Sequence, residues 1–259
     1  MDTVDGRPAA GNAASIRATA RAMAKAGSAA AVLLVEGLTD QIALETAAAL
    51  RGRDLEAEQV VIVPIGGAHA ISRALSGLSA LTALSSPDAP HPPGPDAPHP
   101  PGPDAPHPPG PMAPRPGSPT GSPGVLPLAA RTRLAGLCDV REEDIFRRGL
   151  EAAGVGLPRT RAEMEGLGFH VCIDDLEDEL IRAVGVSGVT ALFMSQGDLR
   201  SFHSFQKQPA WRGQDTRAQV HRFVRSSSRR NLRYARLLVE AAVAGNALPR
   251  PLDAVLSAV

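Results

Sequence analysis

The chain has few aromatic residues: six Phe, one Trp and one Tyr among 259. It has two cysteines, two lysines and no excess of either charge, with 27 basic against 27 acidic side chains. Each scarcity excludes something. Two cysteines build no disulfide scaffold, so a reducing cytoplasm is the expected setting. No apolar run reaches the roughly 18 residues that span a bilayer, and no membrane association is expected. Met1 to Gly27 lacks the basic start, apolar core and cleavage site of a secretory signal. Lysine scarcity with 25 arginines and abundant alanine reads as codon bias and carries no functional meaning.

Proline is plentiful but confined. Seventeen of 24 prolines fall between Pro87 and Pro123, where PDAPHPPG recurs with period eight. Proline fixes φ and removes the amide donor, so this stretch can form neither helix nor inner strand. Residues 85–126 are expected to be a disordered Pro/His/Gly-rich spacer; His91, His99 and His107 within it could bind metal weakly, but a spacer role explains them better. Without it the length suits one ordinary domain, or one plus an appendage. The expected layout is a flexible or helical segment over 1–28, an interrupted domain over 29–199, and a basic helical extension over 200–259.

The remaining pattern is α/β. Ala30–Val35 (AAVLLV) and Val60–Ile65 (VVIVPI) are short apolar runs, each followed by a helical stretch, Thr39–Leu50 and Ala70–Leu84. Such alternation predicts a parallel sheet covered by helices. Arg133–Cys138 and Gly168–Ile173 predict two more strands. Helices are expected over Ser15–Lys25, Glu142–Gly154, Leu176–Val184 and Val186–Gln196, with two more around Ser226–Ser228.

Three of these strands end in carboxylates: Glu36 and Asp40, then Asp139, then Asp174, Asp175 and Glu177. Ligands of open parallel sheets bind beyond the carboxyl ends of the strands, so these acids can share one crevice. Several carboxylates cannot all stay ionised there without a cation. Hard oxygen donors select Mg²⁺ or Mn²⁺, and paired metals serve phosphodiester chemistry. The bland reading makes each acid a helix cap or loop residue. Charge is also divided along the chain: 136–182 holds twelve acids and six arginines, 200–236 ten basic residues and one acid. That division suits a metal crevice beside a polyanion-binding flank, and equally two solvated helix faces.

The other candidates read as structural. Gly66-Gly67 could cradle phosphate, but a tight turn explains it better. Cys138, Cys172 and His170 suit the core; His69 is a weak candidate for the crevice. Phe202, Phe205 and Trp211 among Arg200, Lys207 and Arg212 suit either nucleic-acid stacking or packing. Ser195 and His203 form no nucleophile elbow.

These motifs resemble the TOPRIM domain, shared by topoisomerases, primases and certain nucleases, in its OLD (overcoming-lysogenization-defect) branch. VLLVEGLTDQIAL resembles the first motif, with Glu36, Gly37 and Asp40 at the hallmark positions. PIGGAHAI resembles the following Gly-rich turn, and GLCDVREED stands where the family carries Asp-x-Asp. HVCIDDLEDELIRAVG resembles the late acidic motif, with Asp175-Leu176-Glu177 in place of Ser/Thr-Leu-Glu. RSFHSFQKQPAWRG and RNLRYARLL resemble the C-terminal extension of stand-alone relatives.

The resemblance implies a Rossmann-like TOPRIM sheet and a Mg²⁺- or Mn²⁺-dependent DNA endonuclease, in DNA repair or phage defence. It implies Glu36 as metal ligand or general acid/base, Asp40 and Asp139 as ligands, Glu177 as ligand of one metal and Asp175 as ligand or neighbour. Glu36, Asp139 and Glu177 would be catalytic, and Lys207, Arg212, Arg229, Arg230 and Arg233 would contact DNA. Two departures stand out. Arg141 occupies the second Asp of Asp-x-Asp, with Glu142, Glu143 and Asp144 close behind. Asn231 stands where the branch carries a catalytic Lys, and a neighbouring Arg cannot shuttle a proton. A catalytically weakened module that binds nucleic acid or regulates a partner ATPase is therefore the alternative. A primase-like transferase would need a nucleotide site that the residues do not show. The chain has no G-x-x-x-x-G-K-[ST] run, so any ATPase would be a separate partner chain. A homodimer is compatible with the sequence.

Overall fold

The computed structural model describes residues 10–84 and 132–259. The Pro-rich spacer lies outside the described residues, as do residues 1–9. Four strands, β1 (Ala31–Val35), β2 (Val60–Pro64), β3 (Arg133–Asp139) and β4 (Phe169–Cys172), form one parallel sheet in the order β2-β1-β3-β4. Helices α1 (Ala10–Ala26), α2 (Leu38–Leu50), α3 (Ile71–Leu84), α4 (Glu143–Ala152) and α5 (Arg161–Gly166) are interleaved with them. α6 (Leu176–Ser195), α7 (Leu199–Gln206), α8 (Thr216–Val224), α9 (Ser228–Ala244) and α10 (Arg250–Ser257) follow β4.

β1 is buried along its whole length because helices cover both faces of the sheet. Side chains alternate across a strand. Ala31, Leu33 and Val35 thus enter one apolar cluster, with α2 and the helices from α6 onward. Val32 and Leu34 enter the other, with α1, α3, α4 and Met164 of α5. Cys138 and Cys172 belong to opposite clusters, which rules out a disulfide or a shared zinc between them. β2 is an edge strand, and Pro64 closes it where a missing amide is tolerated. α1 packs against this edge, and the Thr19 hydroxyl donates to the Pro64 carbonyl.

The C-terminal helices share the first cluster with the sheet. Phe193 is fully buried there and meets Phe202, Phe223 and Tyr234 at centroid distances of 4.9, 5.1 and 5.2 Å. Phe205 and Trp211 stack at 5.2 Å beside it. The aromatic stretch is packing. Within α6, Gly185 at φ 74° and ψ 155° breaks the helix between the two helical stretches expected from the sequence. That left-handed φ is ready only for glycine.

Candidate metal centre

The centre is built on two neighbouring strands. β1 and β3 run parallel, so their carboxyl ends lie on one edge of the sheet. Glu36 is the residue after β1, and Asp139 is the last of β3. The Asp139 amide donates to Glu36 Oε1 at 3.0 Å. Beyond Asp139 the chain makes a 3₁₀ turn, Val140–Glu142. Residues three apart eclipse one another in such a turn, which brings Glu142 beside Asp139. Glu36, Asp139 and Glu142 each offer an oxygen within 4.8 Å of the others. Asp40, in the first turn of α2, accepts from the Gly37 amide at 2.9 Å.

Gly66 and Gly67 close the centre from the β2 side. Both amides donate to the Glu36 carbonyl at 3.0 Å, from left-handed φ of 80° and 107°. The glycine pair is a turn that ties β1 to β2, and its donors are already engaged.

Electrostatically the acids fall into two groups. Burial raises Glu36 to about 8, helped by Glu142 and opposed by the Asp139 amide. Burial raises Asp139 to about 9, with Glu36 and Asp40 adding to it. Burial raises Asp40 to about 7, with Glu177 nearby. No basic side chain among the described residues hydrogen-bonds or ion-pairs with Glu36, Asp40, Asp139 or Glu142. One Glu142 oxygen is buried without a hydrogen-bond partner.

Around the start of α6, Asp175, Asp178 and Glu179 are matched by basic side chains, while Asp174 is exposed. Asp175 caps the helix, accepting from the Asp178 amide at 2.8 Å. Its oxygens also accept from His221 Nε2 at 2.9 and 2.8 Å, and Arg225 pairs with it. Burial opposes ionisation of Asp175, but His221, the Asp178 amide and Arg225 outweigh it and hold the carboxyl below its ordinary range. The same bond raises His221 against its burial. Asp178 pairs with Arg182 at 2.9 Å, and Glu179 pairs with Arg182 at 2.7 Å. Glu177 accepts from Asn231 Nδ2 at 2.8 Å, and the same amide group reaches Thr39 Oγ1 at 3.1 Å.

Residues 29–83 match the family described as "Overcoming lysogenization defect protein-like, TOPRIM domain". The chain carries an OLD-like TOPRIM domain. The C-terminal region of the Xanthomonas campestris pv. campestris OLD protein is similar in structure, in its mercury-phased and platinum-phased determinations. The TM-score is 0.51 for each, at 14% and 15% identity, covering 89% of this chain and 94% and 92% of that one. At such identity the likeness is one of fold. No curated protein sequence matches the chain.

Glu36 and Asp139, both singled out from the sequence, meet, with Asp40 close by. Asp175 is engaged by His221 and Arg225. Glu142 was not singled out from the sequence: the Asp-x-Asp spacing drew attention to Arg141, while the turn presents the residue after it. Asn231, at the expected Lys position, sits against the acids and binds Glu177 as a neutral amide.

Of the cations expected at DNA, Lys207 and Arg229 are exposed, and Arg212 donates to the Lys207 carbonyl at 3.1 Å. Arg230 lies 4.2 Å over the Phe223 ring, bonds Ser226 and approaches Asp198 at 3.8 Å. Arg233 pairs with Asp198, which also accepts from the Tyr234 hydroxyl at 2.8 Å. Arg230 and Arg233 thus pin α9 to the α6–α7 turn. The cleft beside the carboxylates, about 420 Å³, is lined by other cations, Arg141, Arg217 and Arg225, together with His221.

The raised carboxyls carry a pH prediction for the metal-free TOPRIM domain. A carboxyl with a folded pKa above its unfolded value keeps its proton in the folded state after the unfolded chain has lost it. Stability then falls as pH rises from the ordinary carboxyl range through the folded values of about 7 to 9. In EDTA the unfolding midpoint should drop by at least roughly 2–4 °C, the equivalent of about 1 kcal/mol in a chain of this size. Millimolar Mg²⁺ should restore it more at the alkaline end, where fewer protons must be displaced. Calorimetry across this pH range, with and without Mg²⁺, reads both effects. A midpoint that rises with pH in EDTA would contradict the electrostatic description.

Proposed function

We propose that this chain is a divalent-metal-dependent DNA endonuclease. The observation that carries the reading is the Glu36–Asp139–Glu142 cluster: three carboxylates with oxygens within 4.8 Å of one another, no basic partner among the described residues, and one buried unpartnered oxygen. Such a donor set fits Mg²⁺ or Mn²⁺, which prefer oxygen ligands. Glu36, Asp139 and Glu142 would hold the ion, with Asp40 and Glu177 adjoining it. When bound, the ion would lower the pKa of water and stabilise charge at phosphoryl oxygens.

The chain's own groups do the rest. The Asp139 amide fixes Glu36 Oε1, and the Gly37 amide fixes Asp40, so both acids are oriented before any ligand arrives. Burial holds Glu36 near pKa 8 while no ion is bound, so binding of a divalent cation would displace a proton from it. Asn231 holds Glu177 without adding charge. Asp175 positions the His221 and Arg225 side chains at the cleft.

A plasmid-nicking assay with Mg²⁺ and with Mn²⁺ tests the reading. The wild-type protein should nick, EDTA should stop it, and Asp139→Ala should lower the rate by about 10²-fold or more, the scale of losing one preorganised electrostatic group. Nicking that survives Asp139→Ala would remove the centre from the reaction. Absence of nicking under either metal, with DNA binding retained, would favour the weakened module, which the neutral Asn231 beside Glu177 specifically supports.

A further inference from the structure

The cleft that opens beside Asp139 and Glu142 has a second wall, and that wall is a single helix. α8 carries Arg217 and His221, and Arg225 is the C-cap residue that follows it. The three are spaced four and four. On an α-helix that spacing keeps side chains on one face, each about 6 Å further along the axis at 1.5 Å per residue. Carboxylates therefore face a row of basic side chains across about 420 Å³.

The row is set by acids that leave it donors to spare. Arg217 Nε lies 3.6 Å from Asp178 Oδ1, and the Arg217 side chain is 48% exposed. Arg225 gives one terminal nitrogen to Asp175 and is 45% exposed. A guanidinium has five N–H donors and stays charged at every working pH. Both arginines keep terminal N–H groups for a ligand, and Asp175 and Asp178 limit where they can go. Asp215 caps α8 through the Ala218 amide at 3.0 Å, which fixes the start of the helix at the cleft.

We propose that Arg217 and His221 on α8, with Arg225 at its C-cap, form the phosphate-binding wall of the site, holding the DNA backbone against the carboxylate cluster. The proposal rests on the endonuclease reading for its substrate, and it moves the DNA contact from the α9 cations to α8. Arg230 and Arg233, by contrast, are engaged by Phe223, Ser226 and Asp198.

The test separates the wall from the chemistry. Binding of a labelled single-stranded DNA oligonucleotide is followed by fluorescence anisotropy in Ca²⁺ over a range of salt, with a gel to check that the strand stays intact. Arg217→Gln and Arg225→Gln should each weaken binding on the order of 10-fold, as for a lost charge-assisted hydrogen bond. Each should also flatten the slope of log K against log salt by about 1. Arg148→Gln, an exposed arginine of α4 outside the cleft lining, should do neither. Arg217→Gln is the cleaner variant, because Arg217 has no part in the Asp175 network and its loss should leave the fold intact.

Binding and slope unchanged in both variants would overturn the wall even if the wild-type protein nicks plasmids. An equal loss in Arg148→Gln would overturn it as well, since general charge would then explain the effect. An RNA strand of the same length bound more tightly than DNA would overturn the choice of ligand. Weakened binding in the two variants, with no nicking by the wild-type protein under any metal, would keep the wall and remove the endonuclease reading.

Discussion

Glu36→Gln should abolish most plasmid nicking, by about 10²–10³-fold, while making the metal-free protein more stable at alkaline pH. The two effects have one cause. Glu36 is a half-buried carboxyl whose pKa is raised to about 8 by burial and by Glu142 beside it. Ionising it in the absence of a cation costs the folded state free energy. Glutamine is nearly isosteric, and its carbonyl can still accept the Asp139 amide hydrogen bond now seen at 3.0 Å. The substitution therefore keeps the geometry and removes the charge. A functional site held at the expense of stability is the expected trade-off. The activity loss is the scale set by deleting one preorganised electrostatic group. Nicking rates with Mg²⁺, and unfolding midpoints in EDTA at about pH 6 and about pH 9, check the two halves. A variant that lost activity and also lost stability at both pH values would show Glu36 to be structural.

The second large effect falls on the core. Phe193→Ala should destabilise the protein by about 3–5 kcal/mol, the usual range for truncating a buried aromatic side chain. Phe193 is fully buried and is the common neighbour of Phe202 on α7, Phe223 on α8 and Tyr234 on α9. It joins three helices that follow it in the chain, and the hole would be lined by rings too rigid to collapse into it. The positions of α8 and α9 relative to the cleft depend on this cluster, so DNA binding should weaken along with stability. Denaturant unfolding gives the free energy directly. A loss below about 1 kcal/mol would mean that the helices hold together without the ring cluster.

The strands and most helices were legible because parallel strands buried on both faces read as unbroken apolar runs, AVLLV and VVIVP among them. The split at Gly185 was legible too, since glycine is the residue that accommodates a left-handed φ. The short helices were not: α5, α7 and α10 have six, eight and eight residues, too few turns for periodicity to stand out. At the centre, Glu36, Asp40 and Asp139 announced themselves by ending strands or opening helices. Glu142 did not, because its place beside Asp139 depends on a 3₁₀ turn instead of the extended continuation that Asp-x-Asp assumes. The partners of Asp175 lie 46 and 50 residues further on, so no local pattern links them. In hindsight the spacing of Arg217, His221 and Arg225 was visible, though without the fold nothing marked that face of α8 as the one turned to the cleft.

The sheet gives the molecule two poles with different tolerances. α3 ends at Leu84 and β3 begins at Arg133, so the long intervening segment joins the domain at the amino end of β3. Asp139 closes the same strand at its other end, six residues on, a separation of roughly 20 Å at the rise of an extended chain. Lengthening that connection costs little chain entropy, because loop closure grows only with the logarithm of length. A change in the number of eight-residue repeats thus meets the described fold at the amino end of β3, not at the end that carries Asp139. The fold leaves one end free to drift in length while the chemistry at the other stays in register.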